Sequence, residues 1–231
     1  MPAITRQDVR VHVPASVLRE LAKIDVGKRL TAELDALERA LGTDAREDEL
    51  DRLAAQPAVA TARKLLAAAK VGAVMLALDD LEAAGEPALV FSAHVTPALE
   101  IGARPGWAVI TGDVGGDRRG KIRTDFQVGR WSAQHNGGSV AGGDARGVSM
   151  TIRAASESLT LTRAATVLFV DRDWVPARNE QAEARAHRIG QTRPVTVLRF
   201  VADHAIDRRV ASIIAAKEAF GGRLLAGIEN R

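Results

Sequence analysis

Three side chains within the stretch QAEARAHRIGQTRPV (181–195) could do chemistry together. Gln181, Arg185 and Arg188 fall at i, i+4 and i+7, so their spacing predicts one helix face that carries all three. Ala182, Ala186 and Ile189 form a second face, small enough to pack closely on a sheet. Pro176 and Pro194 bound the helix on either side. Two guanidinium groups and an amide do not make a complete active site, because none of the three is an acid, a thiol or a base. Arginine presents a fork of donors that matches phosphate oxygens, so the expected task is to grip a phosphate. His187 points elsewhere at helical spacing and is expected to pack or to form a hydrogen bond.

The surrounding elements must position these residues. From residue 86 onward, short apolar runs alternate with helical stretches: ALVFS (88–92), WAVI (107–110), VSMTI (148–152), TVLFV (166–170) and VTVLRFV (195–201). Near-continuous apolar strands separated by helices predict a parallel sheet buried on both faces. Such sheets bind ligands beyond the carboxyl ends of their strands. The polar groups at those ends are Ser92, His94, Thr111, Gly112, Asp113, Arg153 and Asp171. The glycine-rich segment between Val128 and Val148 reads as a mobile surface loop, with Trp131 and His135 read either as contacts to a partner or, preferred, as part of an incidental insertion.

The first part of the chain reads as accessory. DVRVHVP alternates from Val9 to Val13, as a short strand would. Leu30, Leu34, Leu37 and Leu41 mark one stripe of a helix that Gly42 stops. The acidic run TDAREDELD reads as a solvated connection or helix start. Pro57 opens a further helix, whose buried face is Val71, Val74, Leu78 and Leu81 and which Gly85 ends. Near the C-terminus Ile206, Val210, Ile213 and Ile214 share a face, as a helix docked on the core would require. The expected divisions are 1–56 (accessory), 57–203 (α/β lobe) and 204–231 (bracing helix and tail).

The 231 residues contain 46% hydrophobic residues, enough for a sizeable core. Cysteine is absent, so disulfides and thiolate metal sites are excluded. The five histidines form no pair at metal-ligand spacing, and no metal held by this chain is expected. No apolar run of about 18 residues occurs, so no membrane span is expected, and a cytoplasmic location follows as the expectation. Net charge is +3, with 26 arginines against 6 lysines. That bias suits a nucleotide or nucleic-acid partner, although a GC-rich genome produces the same bias by codon usage.

With these motifs in hand, the chain resembles the Swi/Snf-related group of superfamily-two helicases and DNA translocases. QAEARAHRIGQTRPV looks like their motif VI. LVFSAH (89–94) resembles motif IV, and VITGD (109–113) with RRGKIRTDFQ resembles the next block. MTIRAASESLTLTRAATVLFVDRDWVP (150–176) resembles motif V and its continuation, and HAIDRRVASIIAAKEAF resembles the bracing helix. The annealing-helicase branch is the most similar, and the likeness covers roughly residues 57 to 220.

The resemblance implies a RecA-like α/β lobe: a parallel sheet with helices on both faces, an N-terminal helical segment and a C-terminal bracing helix. It implies the second of two lobes that hold ATP between them, with Mg2+ on the other lobe. By family position Arg188 is the arginine finger and Arg185 lies beside it on the γ-phosphate. Gln181, Glu157 and Ser158 would complete the ATP face. Ser92, His94, Thr111, Gly112, Asp113, Arg153, Thr160 and Trp174 would face DNA. A packed position is the competing reading for Trp174. Arg118, Arg119, Lys121 and Arg123 read either as added phosphate contacts or as a solvated helix face.

The P-loop of the first lobe is not found. GGDRRGKI (115–122) imitates one, but Ile122 stands where a magnesium-binding hydroxyl is needed. LDDLE (78–82) imitates an acidic Walker string but falls on an amphipathic helix. Motif V also departs from its usual glycine-rich form, with Ser156, Glu157 and Ser158 in those positions. The expectation is therefore a lobe that works with a P-loop lobe on a separate chain and with DNA, and that is inactive alone. The alternative is a DNA- or protein-binding module derived from such a lobe.

Overall fold

The computed structural model describes residues 1–24, 29–41, 47–135, 141–156, 159–212 and 214–215. The chain starts with strand β1 (Ile4–Val11), longer at its beginning than the alternation suggested. Four helices follow: α1 (Ala15–Ile24), α2 (Arg29–Leu41), α3 (Glu47–Ala54) and α4 (Pro57–Ala83). Residues 47–51 of the acidic run lie in α3; the rest of the run lies outside the described residues. Helix α4 begins at its proline, and beyond its end Gly85 takes a left-handed φ of 71°. Of the leucine stripe on α2, Leu34 is buried; the side chains of Leu30, Leu37 and Leu41 lie outside the described residues, as does Gly42.

The five apolar runs form strands β2 (Ala88–Ser92), β3 (Trp107–Ile110), β4 (Gly147–Thr151), β5 (Thr166–Phe169) and β6 (Val195–Ala202). Between them lie α5 (Val95–Gly102), α6 (Gly116–Val128) and α7 (Pro176–Glu183). The sheet order is β1-β6-β5-β2-β4-β3. The pairings of β2 with β4, β2 with β5, β3 with β4 and β5 with β6 are all parallel. Beside β6, the Val195 amide donates to Ala3 O and Arg199 Nε to Asp8, which runs β1 in the same direction. Every residue of β2, β3 and β4 is buried, as expected for strands covered on both faces.

The described chain divides into two compact units. The first comprises residues 1–11, 70–173 and 177–200; the second comprises 12–69, 174–176 and 201–231. The division falls within α4, because the two halves of that helix pack in different clusters. Val71, Val74 and Leu78 pack with Val90, Leu168 and Phe200 in the first unit. Val59, Ala62 and Leu66 pack with Leu21 and Leu34 in the second. Also within the second unit, Glu33 accepts the Val59 amide at 3.0 Å, satisfying an otherwise orphaned donor in the first turn of α4. Val210 and Ile214 are buried in that unit, on the expected face; Ile213 lies outside the described residues.

Close approach decides one glycine. Gly147 opens β4 opposite Trp107, and an added Cβ would lie inside the buried Trp107 indole. Gly147→Ala is expected to lower stability by about 2–3 kcal/mol, the usual cost of overpacking a closed core, measured as a reduced urea midpoint with unchanged slope.

The segment after α6 is held in place at its described ends. Trp131 is fully buried and donates from Nε1 to Gly106 O at 3.0 Å; its amide donates to Gly143 O. His135 is 2% exposed, packs edge-on against Trp131 and lies 3.2 Å from Asp125 Oδ2. Ser132 donates to the same oxygen from both its hydroxyl and its amide. The expectation of an incidental loop is corrected for these residues, because glycine content says nothing about where an indole goes; residues 136–140 lie outside the described residues.

Burial works against ionisation of Asp125, but the two Ser132 donors and His135 outweigh it and hold the carboxyl below its ordinary range. A carboxylate depressed in the folded state stabilises the fold above its unfolded pKa, and that contribution is lost as pH falls through the depressed value. Asp125→Asn is therefore expected to flatten the acid limb of a stability profile below about pH 4. Urea midpoints measured across that limb check this, and an unchanged slope with pH would refute it.

Candidate functional site

Helix α7 does not extend as far as the three-residue spacing requires. After Glu183 the backbone tightens: Arg185 N bonds Ala182 O and Ala186 N bonds Glu183 O, each closing on the third residue back. Gly190 then takes a φ of 99°, a conformation that favours glycine. Gln181 is exposed on the helix, Arg185 is 7% exposed in the turn, and Arg188 is exposed further along it. One helix face therefore does not carry all three. Ala182 and Ala186 are buried as expected, but Ile189 is 89% exposed and packs on nothing.

Gln191 explains where the helix stops. Its Nε2 donates to Thr162 O, Ala164 O and Ala186 O at 3.0, 2.8 and 3.2 Å, while its Oε1 accepts the amides of Thr192 and Arg193. In a continuing helix the Ala186 carbonyl would accept from residue 190. Here the Gln191 amide takes it and ties the turn to the segment that leads into β5. That role is not visible from spacing, although Gln191 is part of the HRIGQ string itself.

The turn brings two cations together. Arg185 reaches Leu159 O from Nη1 at 3.4 Å, its own carbonyl accepts the Leu161 amide, and its buried Nε has no hydrogen-bond partner. Arg188 Nη1 lies 3.5 Å from Thr160 Oγ1. Neither arginine has a carboxylate partner among the described residues. Burial, and then the charge of Arg188, push the pKa of Arg185 downward. Two adjacent guanidinium groups without a counter-charge, one with a spare buried donor, form a site that an anion would complete. Thr160, expected on a DNA face, lies beside Arg188 of this turn. Glu157 and Ser158 lie outside the described residues.

The strand ends form a second group. Ser92 is fully buried; its hydroxyl donates to Asp171 Oδ1 at 2.6 Å and accepts the His94 amide at 3.0 Å. His94 Nε2 sits 3.6 Å from Asp171 Oδ2. Arg153 has a side chain 62% exposed, 4.0 Å from Asp173. The carbonyls of Thr111 and Gly112 accept from the buried Arg119 at 3.1 and 3.4 Å, so Arg119 braces this loop from beneath. Arg118, Lys121 and Arg123 are exposed on α6. Asn179 clasps the backbone after β5, accepting Asp173 N and donating to Asp173 O, both at 2.8 Å. Sequence reading assigned no role to Asn179 or Gln191.

Three of the expected DNA-facing side chains are buried. Ser92 spends its hydroxyl on Asp171 and the His94 amide, and Thr111 is 6% exposed. Trp174 is 3% exposed within the second unit, beneath the Arg63 guanidinium at 4.7 Å, so its ring is core. Gly112, Asp113 and Arg153 are exposed. The P-loop imitation resolves as a helix start: Gly115 caps α6 and Ile122 is fully buried.

A parallel sheet in this order with helices packed around it is a RecA-like α/β fold, and the two arginines lie on the turn that leads into its β6 strand. A crystal structure of the C-terminal part of the Fun30 ATPase domain has the same fold, with a TM-score of 0.62 over 93% of this chain and 89% of that one, at 13% identity. Sequence relatives are Helicase SWR1 of Kluyveromyces lactis (46% identical over 61 residues), Chromatin-remodeling ATPase INO80 of Schizosaccharomyces pombe (40% over 82) and human Lymphoid-specific helicase (44% over 68). These matches cover 26%, 36% and 29% of this chain and 4%, 5% and 8% of the relatives. No family model matches. The chain is thus similar in sequence to these ATPases and helicases over 61 to 82 residues, and it shares the fold of the C-terminal part of the Fun30 ATPase domain.

Proposed function

We propose that this chain is the second lobe of an ATP-dependent DNA translocase and completes an ATP site whose P-loop lies outside these 231 residues. The observation that carries this reading is the pair of guanidinium groups at Arg185 and Arg188, which have no carboxylate partner among the described residues. ATP would bring the missing counter-charge, with Mg2+ held by the P-loop lobe. Phosphoryl transfer spreads negative charge over the γ-phosphate oxygens, and a guanidinium delivered from across a cleft stabilises it. Arg188, exposed and long-reaching, is the finger. Arg185, fixed by Leu159 and Leu161, is the inner contact. Nucleic acid would be held at the carboxyl ends of the strands through Gly112, Arg153 and His94, as contacts to phosphate and not to bases.

The test is reconstitution. The chain is mixed with a P-loop lobe of a Swi/Snf-related ATPase, and ATP hydrolysis is followed with and without duplex DNA. DNA-stimulated turnover that neither part shows alone supports the reading. DNA binding that ignores both ATP and loss of the two arginines would instead make this a non-catalytic binding module.

A further inference from the structure

The arginine turn is held from an unexpected direction. Residues 2–6, at the far end of the sequence, grip both flanks of Arg185. Arg6 donates from Nε and Nη2 to the Glu183 carboxylate, at 3.1 and 2.6 Å to the same oxygen. Glu183 is 7% exposed, so Arg6 neutralises a buried charge. On the other flank, His187 Nε2 lies 2.7 Å from the Pro2 carbonyl and donates to it. The same arm is registered on the sheet where the Val195 amide meets Ala3 O.

We propose that residues 2–6 act as a strap that sets the position of the arginine turn, with Arg6 and Glu183 as positioning residues for Arg188. The turn is a short run of local bonds, not a continuing helix: Arg188 N bonds Ala186 O and Gln191 N bonds Arg188 O, so its own backbone fixes Arg188 only relative to its neighbours in the turn. Gln191 secures its later half and the strap secures the two residues that bracket Arg185. A pull on the arm would therefore be felt at Arg188, which makes the arm a route by which chain preceding β1 can govern the ATP face. This rests on the reading of Arg188 as the finger.

Hydrogen exchange of the 231-residue chain tests the strap without any ATPase activity. In Arg6→Ala, the amides of residues 184–188 are expected to exchange at least about tenfold faster, with β2 and β4 amides unchanged. Arg6→Lys, which keeps the charge but not the fork, should give an intermediate effect, and the exchanged pair Arg6→Glu with Glu183→Arg should restore protection. In the reconstituted enzyme, Arg6→Ala should lower kcat with KM for ATP unchanged. Unchanged exchange at 184–188, or an equal rise throughout the lobe, would overturn the strap. Arg188→Ala with full turnover would instead overturn the finger while leaving the exchange result standing.

Discussion

Arg188→Ala is expected to abolish DNA-stimulated ATP hydrolysis in the reconstituted enzyme while leaving the lobe as stable as before. The two halves of that result have separate causes. An arginine finger contributes about 10³ to 10⁵ in rate, so kcat should fall by at least about a thousandfold. The fold should not notice, because Arg188 is exposed and its side chain's one hydrogen bond among the described residues, to Thr160, is 3.5 Å long. Loss of such a contact stays within about 0.5 kcal/mol. Arg188→Lys should recover little, since an ammonium is a point charge and cannot fork two oxygens. The measurements are steady-state hydrolysis with saturating DNA and a urea melt of each variant. Turnover within tenfold of wild type in Arg188→Ala would remove the finger assignment. Arg185→Ala is a less clean experiment, because Arg185 is buried and its loss also affects packing.

Gln191→Ala is expected to do the reverse and to damage the fold first. The side chain is 7% exposed and serves three carbonyls and two amides from one amide group. Truncation leaves several buried backbone groups unpaired, each costing about 1–3 kcal/mol where water cannot reach. A loss of about 3 kcal/mol is expected, read as a lower urea midpoint. Gln191→Glu should be at least as harmful, because an ionised carboxylate would face the carbonyls of Thr162, Ala164 and Ala186 with no proton to offer. Near-wild-type stability in both variants would show that the clasp is dispensable. Turnover should fall in both, as a consequence of a loosened turn.

The sheet was largely legible from sequence. ALVFS and WAVI are strands at the boundaries their composition suggested, because a strand buried on both faces must be apolar throughout and is cut sharply by polar residues. The long helix after Pro57 and its buried face were legible for the same kind of reason, an apolar stripe at helical period. Periodicity failed at Arg188 because it describes a helix that continues, and Gln191 and Gly190 end this one early. Sequence left Trp174 open between a contact surface and the core, and placed Trp131 in a surface loop, because residue type alone does not say where a large aromatic packs; both are buried.

The sequence by itself determined the parallel α/β class, the residue types at the strand ends and the pair of arginines that defines the site. It also excluded a P-loop within GGDRRGKI, because Ile122 cannot serve magnesium whatever the fold. Tertiary structure alone decided which of these groups meet. Arg185 is buried while its neighbour Arg188 is exposed, Thr160 contacts Arg188, and Arg6 reaches Glu183 across 177 positions of sequence. The physical reason is range: hydrophobic periodicity and turn chemistry are local and can be read along a chain. The pairing of a buried charge with its partner depends on packing, which no local window contains.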